Sequence, residues 1–129
     1  MFLVGVKENN GWLTSRWDLT YRVGWQHICK GISAVYDYYE QTELLVDDTQ
    51  VEVTSKEAIL ELEEAGSMTL RGFSQIVKAP IMMTFMNQTQ VVEVHVPIMA
   101  GGEFAKADYE QFNTSLCQYM DSIELAMYR

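Results

Sequence analysis

The sequence predicts an α+β domain: an antiparallel sheet of about five to seven strands, two long helices at about 24–40 and 108–127, and a short helix at about 55–65. Three observations carry this. An Asn-Gly pair separates two strand-like runs, apolar residues recur at three- and four-residue steps in two stretches, and three short strand candidates follow one another before Pro97. With 129 residues, 48% of them apolar, the chain is long enough to bury one core and is read as a single domain, 1–129.

The runs "FLVGVK" and "WLTSRW" flank Glu8-Asn9-Asn10-Gly11, where Asn-Gly supplies the positive φ of a tight hairpin turn. From about Gly24 to Glu40, Trp25, Ile28, Cys29, Ile32, Val35, Tyr36 and Tyr39 form an apolar stripe, opposite Gln26, Lys30, Ser33 and Asp37. That is an amphipathic helix, weakened at Gly31. Between Glu43 and Val53, "ELLV" and "QVEV" surround an acidic turn at Asp47-Asp48, a second hairpin. Thr54 with Glu57 then offers a capping box ahead of "AILELEEA", with a stop at Gly66.

Strands are expected at about Met68 to Val77, Ile81 to Met86 and Val91 to Val96, the last two joined over Asn87 to Gln90. Ile81, Met83 and Phe85 alternate with Met82, Thr84 and Met86, so both faces of that strand are largely apolar. A central strand covered on both sides explains this most simply; the alternative has Met82 and Met86 reaching a partner or a second copy of the chain. Gly101-Gly102 reads as the loop that folds the last helix back. In that helix Tyr109, Phe112, Leu116, Tyr119, Met120, Ile123 and Met127 make one stripe, and Asp108 with Gln111 resembles a capping box.

The net charge of −9 is unevenly placed. Between Asp37 and Glu64 stand ten acids (Asp37, Glu40, Glu43, Asp47, Asp48, Glu52, Glu57, Glu61, Glu63, Glu64) against Lys56, while the remainder balances to zero. An even solubilising coat would not segregate in this way. Direct nucleic-acid binding asks for a basic stripe and is not expected.

Several chemistries lose their footing. His27 and His95 are the only histidines and neither has metal-ligand spacing to a cysteine or second histidine, so no metal and no cofactor is expected. Phosphate-cradling glycine loops and the GxSxG elbow are absent. Glu93 and His95 project from one face of a strand as the one conceivable catalytic pair, yet Val92, Val94 and Val96 claim the buried face and leave both as ordinary polar residues; an enzyme is not expected. No apolar run reaches the roughly 20 residues of a membrane span, and "MFLVGV" is too short for a signal sequence, so a protein working in the cytoplasm, of bacterial or phage origin, is expected. Cys29 and Cys117 read as free thiols.

Two functions compete. One is a small acidic binding protein without catalysis that docks on a basic protein partner through Asp37, Tyr38, Glu40, Glu43, Asp47, Asp48, Glu52, Glu57, Glu61 and Glu64; toxin immunity proteins, secretion chaperones and phage-encoded inhibitors share this composition. The other is a sensor or carrier with an aromatic and carboxylate pocket for a cationic ligand, built from Trp12, Trp17, Trp25, Tyr36 and Glu93. On that side, "VVEVHVPI" is similar, over eight residues, to the terminal strands of the effector-binding modules of multidrug-sensing regulators.

Overall fold

A computed structural model describes residues 1–76, 78–97 and 106–129, with Asn9 and 106–113 described by their backbone alone. The chain opens as a hairpin, β1 (Phe2–Asn9) and β2 (Trp12–Asp18), turned by Asn10 and Gly11 at φ 51° and 82°. Two consecutive positive φ values match the right-handed twist of the strands they join. Helix α1 (Trp25–Tyr36) follows, then the hairpin β3 (Tyr39–Val46) and β4 (Thr49–Val51), turned by Asp47 and Asp48 at φ 48° and 63°. After the one-turn helix α2 (Lys56–Ile59) come β5 (Ser67–Ser74), β6 (Ala79–Met86), β7 (Val91–Pro97) and α3 (Lys106–Met127).

All seven strands pair antiparallel in the order β1-β2-β7-β6-β5-β3-β4. β2 and β3 are therefore separated by three strands, and α1, which connects them, must carry the chain across β7, β6 and β5. The α+β class and the antiparallel sheet agree with the sequence reading; the two shorter helices differ from it. α1 ends at Tyr36, because Asp37 is its C-cap and Tyr39, although it keeps helical spacing, opens a strand. α2 is four residues long, and its cap is Ser55, whose hydroxyl accepts from the Ala58 N–H, instead of Thr54. Past Ile59 the chain tightens into i→i+3 turns, Leu60, Glu61 and Leu62 N–H donating to the Glu57, Ala58 and Ile59 carbonyls, while Ser33 Oγ and Trp25 Nε1 of α1 donate to the Lys56 and Leu62 carbonyls and tie the segment to α1. Val77, the Gly101-Gly102 loop and the side chains of Asp108, Tyr109, Gln111 and Phe112 lie outside what is described.

The core lies on one side of the sheet. Trp17, Val92, Val94, Met83, Phe85, Met68 and Leu70 are buried against Ile28, Cys29 and Ile32 of α1 and Leu116, Tyr119, Met120, Ile123 and Met127 of α3. On the reverse face Met82, Thr84 and Met86 are only half-buried, shielded by the neighbouring strands and, among the described residues, by no helix. The expectation of a strand covered on both sides is thus corrected: two helices suffice for one face of seven strands, and antiparallel sheets tolerate water on the other. Among the described residues no helix is long and apolar enough to cross a membrane.

Two tethers fix the layers. The Tyr39 and Tyr119 hydroxyls hydrogen-bond inside the core, joining β3 to α3, and burial raises both phenols, Tyr39 to about 12. Glu124 on α3 is 8% exposed and accepts from the Met1 amine at 2.8 Å and from the Thr20 N–H and hydroxyl at 2.9 and 2.8 Å. Burial pushes its carboxyl upward, but these donors and the amine's charge outweigh that and hold it below its ordinary value.

A Cβ on Gly31 would stand 2.8 Å from Met127 Cγ and 3.2 Å from Ile123 Cγ2. Gly31→Val is therefore expected to cost about 1–3 kcal/mol by overpacking, measured as a urea-unfolding free energy. Glu124→Gln is expected to cost about 1–3 kcal/mol at neutral pH. Because the folded carboxyl is depressed, its contribution is complete above the unfolded carboxylate value near pH 4.3 and is lost as pH falls below it. The stability gap between native and Glu124→Gln protein should accordingly narrow as pH falls below that value; a gap that does not change with pH would make Glu124 a packing residue.

Candidate functional site

The acidic segment runs along one edge of the molecule, over β3, β4, α2 and the loop to β5. Its carboxylates divide into two groups. Five are engaged in the fold: Asp37 pairs with Lys56 Nζ at 3.3 Å, Glu43 pairs with Arg71, Glu40 accepts from Gln75 Nε2 at 3.0 Å, and Glu64 accepts from Asn87 Nδ2 at 3.3 Å. The fifth, Asp47, receives the Gly66 and Ser67 N–H groups at 2.9 and 3.0 Å and so ties the β3–β4 turn to the start of β5.

The second group is Asp48, Glu52, Glu57, Glu61 and Glu63, all exposed. Asp48 is on the tight turn, Glu52 follows β4, Glu57 is in the first turn of α2, and Glu61 and Glu63 follow that helix. Glu61 and Glu64 also line an open groove of about 640 Å³ between the loop and the start of α1, with Trp25, His27, Leu60 and Leu62. Leu60 is 45% exposed, which gives the groove an apolar step beside its carboxylates. Tyr38, 49% exposed at the turn between α1 and β3, is the free tyrosine of its cluster, since Tyr39 is in the core and the Tyr36 hydroxyl donates to the Val53 carbonyl.

The aromatic pocket expected from Trp12, Trp17, Trp25, Tyr36 and Glu93 does not assemble. Trp12 and Trp17 are five residues apart on one strand and therefore point to opposite faces. Trp17 and Trp25 are buried and donate their indole N–H groups to Ser15 Oγ and the Leu62 carbonyl, both at 2.9 Å. Trp12 and Glu93 share only the uncovered face. Met82 and Met86 also lie on that face, half-buried in the middle strand of the sheet.

The uncovered face holds features that the sequence did not announce. Trp12 stands opposite Pro97, and Phe73 opposite Pro80, at one end of the sheet. Trp12, Phe73 and Pro80, with Arg71, Met82 and Gln41, line an apolar groove of about 350 Å³. Gln41 is at φ 51° within the irregular pairing of β3 with β5, a bulge that no local sequence signal marks. Beside the groove, His95 Nδ1 meets Thr14 Oγ1 at 2.8 Å and His95 Nε2 meets Glu93 at 3.5 Å. The order hydroxyl, imidazole, carboxylate is that of a nucleophile and its base, but Thr14 is on a strand paired on both sides, so its backbone belongs to the ladders and offers no ready oxyanion pocket. Among the described residues no three metal-ligating side chains converge.

Compared with protein-family models, with curated proteins and with solved structures, the chain gives no match.

Trp12 is 42% exposed, against 2% for Trp17 and 7% for Trp25. Acrylamide is accordingly expected to quench one tryptophan component, and Trp12→Phe to leave a blue-shifted emission that acrylamide barely reaches. Strong quenching that survives Trp12→Phe would mean that Trp17 or Trp25 is open to solvent.

Proposed function

We propose that the chain is a non-catalytic binding protein, of inhibitor, immunity or chaperone type, that docks on a basic protein partner through the edge formed by residues 37–64. The observation that carries this is the exposed carboxylate group: Asp48, Glu52, Glu57, Glu61 and Glu63 stand on adjoining short elements, beside a groove with an exposed Leu60. A lysine or arginine of the partner would lay its aliphatic stem on Leu60 and its charge against Glu61 and Glu64. Around it, the acidic field would accelerate encounter and disfavour acidic competitors, while Tyr38 and Leu60 supply burial. The reading belongs with a cytoplasmic protein of bacterial or phage origin.

A second reading rests on the groove under Trp12 and Phe73, where a cationic or planar ligand would stack on the indole. Salt separates the two, because the first is a contact between exposed charges and the second is not.

The test uses Glu52→Lys, Glu57→Lys, Glu61→Lys and Glu63→Lys together, sparing Asp47 and Glu64, which hold the fold, and Asp48, whose positive φ suits aspartate. A basic protein captured from source lysate, then purified, is expected to bind the native chain with an affinity that falls as salt rises, and to bind the fourfold variant at least tenfold more weakly. Equal affinity of the native and variant chains, with the variant's circular dichroism unchanged, would overturn the reading.

A further inference from the structure

The two ends of the sheet are chemically unlike. At one end β4 is three residues long and enclosed by Asp47, Asp48 and Glu52. At the other, β1 is eight residues long, and Phe2, Leu3, Val4 and Val6 are 62%, 39%, 57% and 37% exposed. Among the described residues no strand lies against its outer edge. Short strands and charges are the usual means of blunting an edge, and β4 has both. β1 carries no charge before Lys7, and its one blunting device is a bulge that takes Val4 out of register with β2.

We propose that β1 pairs antiparallel with β1 of a second copy, centred on Val4, to make a closed dimer with one continuous sheet. An edge of unpaired amides calls for an extended strand, and one apolar on both faces calls for a strand apolar on both faces, which β1 itself provides. Centred on Val4, Phe2 faces Val6 of the other copy, Leu3 faces Gly5, and the paired stretch stops before Lys7. The charge map selects this edge as well. At about 4.8 Å per strand, β4 is about 29 Å from β1, and the two acidic edges of the dimer are about 60 Å apart, many times the roughly 8 Å screening length. Two chains of net charge −9 thus meet at ends whose charges cancel, Lys7 and Arg16 against Glu8 and Asp18. Assembly stops at two, since the short acidic β4 cannot accept a further β1.

Sedimentation equilibrium over a wide concentration range tests this. The native chain is expected to reach the mass of two chains, and Val4→Lys, which sets like charges face to face, to raise the dissociation constant at least tenfold with unchanged circular dichroism. In a Cys117→Ser background, Val4→Cys should oxidise to a disulfide-linked dimer and Lys7→Cys should not. The fourfold glutamate reversal at the opposite edge should leave the dimer intact, so failure of the partner reading and failure of the dimer are distinguishable. A native chain that stays monomeric, a mass that grows beyond two chains, or a dimer indifferent to Val4→Lys would each overturn the proposal.

Discussion

The close approach of α1 and α3 at Gly31 is the contact on which the rest of the structure depends. At the central turn of α1 the space for a side chain is already taken by Met127 and Ile123 of α3, so a larger residue there would have to displace those side chains. Glycine costs about 1 kcal/mol of helix propensity relative to alanine there. The return is a single helical layer narrow enough to sit over the middle of the sheet, with Ile28 and Ile32 of α1 and Met120 and Ile123 of α3 sharing one core. A residue that weakens its own helix is thus what lets the second helix close the domain.

From that layer follow the other features. Two helices cover the middle strands, which leaves the reverse face to water and β1 beyond the shelter of the core. Because α1 must cross three strands between β2 and β3, the chain delivers everything after it to the opposite edge. The acidic segment begins where α1 ends, so its separation along the sequence becomes separation in space. One connection places the neutral hairpin and the charged hairpin at the two ends of the sheet.

Much of the fold was legible because local signals and tertiary demand agree. Asn10-Gly11, the alternation of Val92, Val94 and Val96, and the stripe of Leu116, Tyr119, Ile123 and Met127 each have one consistent structural meaning. Where the reading failed, a tertiary partner overrode a local pattern. Tyr39 fits helical spacing but serves the core from a strand, and past α2 the chain tightens into i→i+3 turns that Ser33 and Trp25 tie to α1. The candidate site was legible as charge and illegible as chemistry. Nothing in the sequence separates Asp47, which builds a turn, from Asp48 beside it, which faces solvent, since the difference is made by Gly66 and Ser67 some twenty residues on. The groove at Trp12 and Phe73 is likewise assembled from residues of four strands, β2, β6, β5 and β3.

How a chain with so concentrated a charge folds at all bears directly on what that charge can do. Cations meet few of the acids between 37 and 64: among the described residues the ion pairs there are Asp37 with Lys56 and Glu43 with Arg71. Five of the others meet neutral donors or lie beside a helix start. Asp47 takes two amide N–H groups, Glu40 and Glu64 take side-chain amides, Glu57 is in the first turn of α2, and Glu61 and Glu64 flank the start of α1. Helix N-termini and amide donors favour carboxylates by a few tenths to about 1 kcal/mol each without adding a positive ion. Repulsion is therefore offset locally while the net charge stays whole. Had lysines done the same work, the edge would be electrically silent; without them, it keeps a field that extends into solvent over the screening length.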